Sequence, residues 1–249
     1  MTIRARTFLN RVLSVIRPRP RYIPIDVRDI IANQEATDVV QRFNDLYYTS
    51  NAASDMVWRG VSILKNPCDL WTAIEILAKL QPIVVIETGT NCGGSALFYA
   101  DILRLFTIHS KVITIDINPK WSVDPEENGI TSLVGYSTDK EIIDAVGRLV
   151  RTATDERRGH VLVMLDSDHS MKNVVKELQL YSGLVTAGSY VIVEDTNVNG
   201  HPSLKTHGPG PWEAVQEFLE HNNDFEVDYS CQRHLLTSNP SGYLRRRTI

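Results

Sequence analysis

The stretch Ile83-Val84-Val85-Ile86-Glu87-Thr88-Gly89-Thr90-Asn91-Cys92-Gly93-Gly94-Ser95 decides the fold. Its first four residues form a short continuous apolar run, as expected of a strand buried on both faces. A turn with three glycines follows, and a helix from about 95 to 107 comes after it. Glycine lets backbone approach a ligand closely, and a helix N-terminus presents free amides at the carboxyl edge of the sheet.

The same unit recurs downstream. Val112-Ile113-Thr114-Ile115 closes on Asp116, and Ser132-Leu133-Val134 precedes Gly135 and a helix from about 139 to 151. Val161-Leu162-Val163-Met164-Leu165 closes on Asp166 before a helix at roughly 170–182, and Tyr190-Val191-Ile192-Val193 closes on Glu194-Asp195. A helix near 211–221 and strand-like pieces around 225–230, 233–237 and 242–246 end the chain. Strands alternating with helices predict an α/β fold with a doubly wound, mostly parallel sheet.

Upstream, the pattern is helical from about 36 to 80. Val39, Val40, Phe43, Leu46 and Tyr47 make one apolar face, and Asp69 is placed to cap a second helix that Pro82 ends. This predicts a helical N-terminal extension over 1–60 and one α/β domain over 61–249.

Composition sets the outer limits. The chain has 249 residues, 43% of them hydrophobic, with 26 basic against 30 acidic residues. That is enough apolar material for a real core, and a net charge of −4 argues against a general nucleic-acid binder. Three cysteines, Cys68, Cys92 and Cys231, match no zinc spacing and cannot close a disulfide framework, which points to a reduced, cytoplasmic protein. No apolar run reaches the roughly 20 residues that span a bilayer. The charge is uneven, because residues 1–28 hold seven arginines against Asp26. Within that segment Phe8, Leu9, Val12, Leu13 and Ile16 fall at helical spacing. Such a segment suits peripheral contact with an anionic membrane, or packing on its own domain or a partner subunit. A homo-oligomer is expected.

Two constellations carry chemistry. Asp116 stands 27 residues after Gly89, at the end of the next strand, where an acid accepts both hydroxyls of a ribose. The glycine loop lacks G-x-G-x-x-G, and Glu87 repels a pyrophosphate while suiting a cationic ligand. S-adenosylmethionine, with a sulfonium, an ammonium, a ribose and no phosphate, fits better than a dinucleotide. A tight turn without any ligand is the plain alternative. Second, Asp166, Asp168, Glu194 and Asp195 converge if their strands are neighbours. Such acids repel one another unless a hard divalent cation such as Mg²⁺ joins them. Asp166, Glu194 and Asp195 are the candidate metal ligands. Asp168 is a substitute for one of them, unless it or Ser170 merely caps the helix that follows. His169 stands beside this group as a candidate general base. The polar loop beyond it, with His201, His207 and Trp212, suits a substrate lid, although Pro211 and Trp212 also suit a helix start and core packing.

At Ile86-Glu87-Thr88-Gly89-Thr90, Leu165-Asp166-Ser167-Asp168-His169-Ser170, Val193-Glu194-Asp195 and Gly208-Pro209-Gly210-Pro211, residues 60–249 resemble the cephalosporin-hydroxylase-like family of S-adenosylmethionine-dependent O-methyltransferases, in particular its rhamnosyl O-methyltransferases. The resemblance implies a Rossmann-like class I methyltransferase fold and a Mg²⁺ site at Asp166, Glu194 and Asp195, with His169 catalytic. It places the cofactor on Glu87, Gly89, Thr90 and Asp116; Thr88, Ser95, Ser137 and Asp166 join that set. The implied acceptor is a hydroxyl of a rhamnosyl-like sugar on a glycolipid or natural product. A catechol-type acceptor, a nicotinamide-dependent oxidoreductase and a non-catalytic binding module are the rivals.

Overall fold

The alternating apolar runs become a seven-stranded sheet in the computed structural model, which describes residues 26–50, 52–106 and 110–248. In chain order the helices are α1 (Val27–Ile31), α2 (Gln34–Thr49), α3 (Pro67–Leu80), α4 (Gly94–Arg104), α5 (Lys140–Glu156), α6 (Met171–Tyr181) and α7 (Pro211–His221). A short antiparallel hairpin, β1 (Val57–Trp58) and β2 (Val61–Ser62), precedes the sheet. The sheet strands are β3 (Val84–Thr88), β4 (Lys111–Asp116), β5 (Ile130–Val134), β6 (Val161–Leu165), β7 (Tyr190–Val193), β8 (Phe225–Val227) and β9 (Tyr243–Arg246). Their order is β5-β4-β3-β6-β7-β9-β8. All pairings are parallel up to β7, and β9 is antiparallel to both β7 and β8. This is the doubly wound, mostly parallel sheet that the sequence predicts.

The continuous apolar runs are explained by two layers. Val84 and Ile86 of β3 pack with Val163 and Leu165 of β6 against Val146 of α5, Val174 and Leu178 of α6, and Val215 of α7. Val85, Leu162 and Met164 turn to the other face, against Ile76 and Leu77 of α3 and Leu97 and Leu103 of α4. Successive residues of a strand point to opposite faces, so a sheet covered on both sides needs every position apolar.

The N-terminal elements differ in part from expectation. In α2, Val39 and Leu46 are 57% and 69% exposed, so they stand outside the contact made by the rest of the predicted apolar face. The division after residue 60 falls in the turn of the β1–β2 hairpin. That hairpin belongs to the core: Val61 and Ile63 are buried, and Trp58 packs edge-on to Phe98 at 5.0 Å while donating to Asp101. The basic segment 1–28 lies outside the described residues except for Asp26, Val27 and Arg28.

Asp69 does not cap α3. Asn66 does, accepting from the Cys68 amide, with Pro67 in the first turn. Asp69 is instead buried, and its carboxylate accepts from Thr237 Oγ1, the Ser238 amide and Tyr243 Oη. Residues 233–237 are correspondingly not a strand. Leu235 has φ +63°, and the segment is a loop tied to α3 through Asp69. Burial raises the Asp69 pKa while its three donors oppose the rise. Asp69→Ala leaves buried donors without an acceptor, and the expected loss is about 2–4 kcal/mol of unfolding free energy in urea titration. A loss below about 0.5 kcal/mol, the usual size for a surface site, would contradict this anchoring role.

Candidate active site

Register assembles the site. Thr88 of β3 pairs with Ile115 of β4 and Leu165 of β6, and Leu165 pairs with Val193 of β7. The residues directly after this row are Gly89, Asp116, Asp166 and Glu194, so four predicted site positions leave the sheet side by side. The chain winds from β3 to β4 and β5 on one side and crosses to β6 on the other, which makes the β3–β6 gap a topological switch point, the usual ligand crevice of an open α/β sheet.

A cleft of about 520 Å³ opens there. Of the predicted cofactor residues, Gly89, Thr90, Ser95, Asp116, Ser137 and Asp166 line it, and so do Asp168, His169 and Asp195. Gly89 has φ +89°, and a Cβ there would fall 1.8 Å from the Asp166 carbonyl oxygen, so only glycine fits. The Asp116 carboxylate accepts from the Asn91 and Asn118 amides, both at 2.8 Å, which fixes it at the rim. Ile117 and Tyr136 also line the cleft and are largely exposed, giving it two apolar walls that the sequence pattern did not reveal.

Glu87 and Thr88 stand behind this wall. Thr88 Oγ1 accepts from the Asp166 amide. Glu87 is fully buried within β3, where Thr114 Oγ1 donates to it at 2.6 Å. Burial lifts its pKa to about 7, with Lys65, Ser95 and Thr114 opposing the rise. Glu87 is therefore a support beneath the cleft rather than part of its lining.

The acids divide into two sets. Asp166 Oδ1 and Asp195 Oδ2 lie 3.7 and 3.3 Å from His169 Nε2. One ligand atom from each of these residues falls within 4.8 Å of the others, as a cation site requires. The two carboxylate oxygens, open to a cleft, fit a divalent metal, and the His169 imidazole stands beside them. Asp195 has φ +53°, a left-handed conformation that Asp tolerates. The Glu194 carboxylate is not brought into the group around His169. It lies beneath, bonded to the ammonium of Lys65, which also donates to Asp166 Oδ2 at 2.5 Å. Burial works against the Lys65 charge, yet Asp166 and Glu194 hold its pKa well above the usual range. Lys65 was not legible from the sequence.

Ser170 caps α6, as the capping alternative has it, whereas Asp168 Oδ1 accepts from the Ser170 amide in the turn before the helix. Ser167 donates to the buried Glu177 of α6, which steadies the 166–169 loop from behind. Beyond it, His201 stacks on Trp212 at 4.0 Å and bonds Glu213, while Pro211 starts α7. These two rings line a separate cavity of about 320 Å³ with Ile30, Ile31 and Val40, and the cleft lining includes neither of them nor His207.

Comparisons with known proteins bear on the family and the fold. The family model described as Rhamnosyl O-methyltransferase/CmcI matches residues 50–247. A rhamnosyl O-methyltransferase of Mycobacterium tuberculosis (strain ATCC 25618 / H37Rv) is 38% identical over 213 residues, 84% of this chain and 85% of the relative. The solved structure CmcI-N160 apo-structure superposes with a TM-score of 0.60 at 22% identity, covering 79% of this chain and 78% of the other. A second, cmcI-D160 Mg-SAM, gives 0.57 at 22% identity, covering 78% of each. At that identity the two structures support the fold.

Glu87 has a pH signature. Its folded pKa of about 7 lies above the ordinary 4.5, so its stabilising contribution is complete below pH 4.5 and is lost as pH rises through 7. Glu87→Gln removes that dependence. The variant should match the parent near pH 4.5 and exceed its stability by about 3 kcal/mol at pH 8, measured by chemical denaturation. A difference that does not change with pH would refute this account of Glu87.

Proposed function

The chain belongs to the Rhamnosyl O-methyltransferase/CmcI family, and we propose that it is an S-adenosylmethionine- and divalent-metal-dependent O-methyltransferase acting on a hydroxyl of a rhamnosyl-like sugar in a glycolipid or natural product. The observation that carries this reading is the meeting of Asp166, His169 and Asp195 at the mouth of a cleft whose other wall is the glycine loop and Asp116. The Mg-SAM designation of one structural neighbour supports both cofactors.

Each residue then has a task. Asp116 accepts the ribose hydroxyls, while Ile117 and Tyr136 provide flat apolar walls for a purine. Thr90, Ser95 and Ser137 offer hydroxyls along the cleft, and Gly89 allows close approach beside Asp166. Glu87 and Thr88 support this wall from beneath. Asp166 and Asp195 face the cation, and Glu194 adds its charge from behind them. When bound, the cation lowers the pKa of an oriented hydroxyl, and the sulfonium cofactor supplies a methyl group that is already activated. The His169 imidazole, beside Asp166 and Asp195, accepts the acceptor's proton. The protein's remaining contribution is to align the oxygen with the methyl group.

The exposed Val39 and Leu46 of α2 support self-association. Among the described residues no helix is long and apolar enough to cross a membrane. A cytoplasmic enzyme, with peripheral membrane contact through residues 1–28, is the arrangement we propose.

Transfer from labelled S-adenosylmethionine to rhamnosides should occur with Mg²⁺ and stop in excess EDTA; full activity in EDTA would overturn the metal's role. Preferential methylation of catechols would replace the sugar acceptor with the catechol-type one. Asp166→Ala should abolish transfer while calorimetry still detects S-adenosylhomocysteine binding. Asp116→Ala should weaken that binding roughly tenfold or more, by loss of charge-assisted hydrogen bonds. His169→Ala should cost about 10²–10⁴-fold in kcat, most severely toward low pH where hydroxide cannot replace it. An unchanged pH–rate profile would remove His169 as the base.

A further inference from the structure

Among the described residues, three large apolar side chains stand open to water in the cleft: Ile117, Tyr136 and Leu64. Ile117 and Tyr136 follow β4 and β5 beside Asp116, on the half of the cleft assigned above to the purine. Leu64 belongs to the other half. The residue after it, Lys65, donates to Asp166 and Glu194 at the ends of β6 and β7.

The backbone holds this leucine outward. Ile63 and Lys65 are each 5% exposed, while Leu64 between them is 45% exposed. The usual arrangement is inverted, with a lysine inside and a leucine in water. Both neighbours are fixed: the Ile63 amide donates to the Met56 carbonyl, and Lys65 is bonded at its carbonyl and at its ammonium. Between them Leu64 takes φ +49°, in the left-handed region. That conformation strains an L side chain and suits glycine. A leucine kept there, facing water, contributes little to the fold. A strained residue of this kind in a cleft points to a ligand.

We propose that Leu64 sets sugar specificity, as the apolar contact for the C6 methyl group of a 6-deoxy hexose whose reacting hydroxyl lies at His169. The proposal rests on the sugar-acceptor reading above and deepens it. A hexose carries hydroxyls around most of its ring, and Asp166, Asp168, His169 and Asp195 offer polar partners on this side of the cleft. The methyl is the one fully apolar group of a 6-deoxy hexose, and Leu64 is the exposed apolar side chain on the same side. Packing the methyl on the leucine removes both from water. A hydroxymethyl group in its place would lose water without gaining a hydrogen bond.

The test compares kcat/KM of the full chain on an L-rhamnoside and on the L-mannoside of the same aglycone, which differ only by a hydroxyl on C6. S-adenosylhomocysteine affinity is measured by calorimetry in parallel. The parent should favour the rhamnoside about tenfold or more. In Leu64→Ala the ratio should fall to within about threefold of unity, mainly through a higher KM for the rhamnoside. Leu64→Asn tolerates the left-handed backbone and offers a polar partner, so it should invert the preference. Both variants should bind S-adenosylhomocysteine as the parent does. Leu64→Gly relieves the backbone, so it should lose the preference while unfolding at no lower urea concentration than the parent. Earlier unfolding of Leu64→Gly would make the leucine a packing residue and overturn the proposal. A loss of S-adenosylhomocysteine affinity with an unchanged sugar ratio would overturn it too, by making Leu64 a wall for the cofactor. If the parent methylates catechols and neither sugar, the sugar reading falls and this proposal falls with it. If the parent methylates rhamnosides but shows no preference over mannosides, or one that ignores Leu64, this proposal alone falls.

Discussion

Parallel pairing of β3 with β4 and β6, and of β6 with β7, aligns Thr88, Ile115, Leu165 and Val193 in one row. The next residue of each strand then leaves the sheet at the same height. A slip of one residue in any pair would turn an acid from the cleft into an apolar layer, because side chains alternate between faces. The two layers of Val, Ile and Leu therefore do more than stabilise the sheet. They make such slips costly and so hold Gly89, Asp116, Asp166 and Glu194 together. The tightest expression of this is Gly89 against the Asp166 carbonyl, where no side-chain atom can stand.

Bringing acids together in this way creates an electrostatic problem that the fold solves in several ways. Asp116 is tied to backbone amides at an exposed rim. Glu87, buried with Lys65 at some remove, is pushed up to about 7. Asp195 stands 3.3 Å from the His169 imidazole. Glu194 has an ammonium in direct contact. One charge type thus meets different surroundings: an exposed rim, the interior of the sheet, the side of an imidazole and a buried ammonium.

The sheet and most of the cleft were legible in the sequence because their signals are local. An apolar run closed by an acid identifies a strand and its carboxyl end together, and one crossover makes Asp166 and Glu194 neighbours. The misreadings arose where tertiary contacts decide. Asp69 lies in the first turn of α3, as capping acids often do, but Asn66-Pro67 already supplies that cap and leaves Asp69 free to hold Thr237, Ser238 and Tyr243. The pull of Asp69 on Thr237 and Ser238 is part of why Leu235-Leu236, which resembles a strand, is a loop. Lys65 left no trace, because its partners lie 101 and 129 residues away.

That lysine also changes how the N-terminal region relates to the site. As a lead-in, residues before the sheet have no evident part in chemistry. In the structure they reach it at several points, and Ser62, Ile63 and Leu64 line the cleft itself. Tyr48 of α2 exchanges hydrogen bonds with Asn197, two residues beyond Asp195. Ser62 of β2 lies so close to Gly94 that a Cβ there would meet its carbonyl oxygen at 2.2 Å, fitting the hairpin against the start of α4. Lys65 completes the set beneath the acids. Through these contacts α2 and the hairpin pack against the loop after β7, the start of α4 and the segment that carries Lys65. Within α2, Tyr47 makes the link to the buried cation, since its hydroxyl donates to the Lys65 carbonyl.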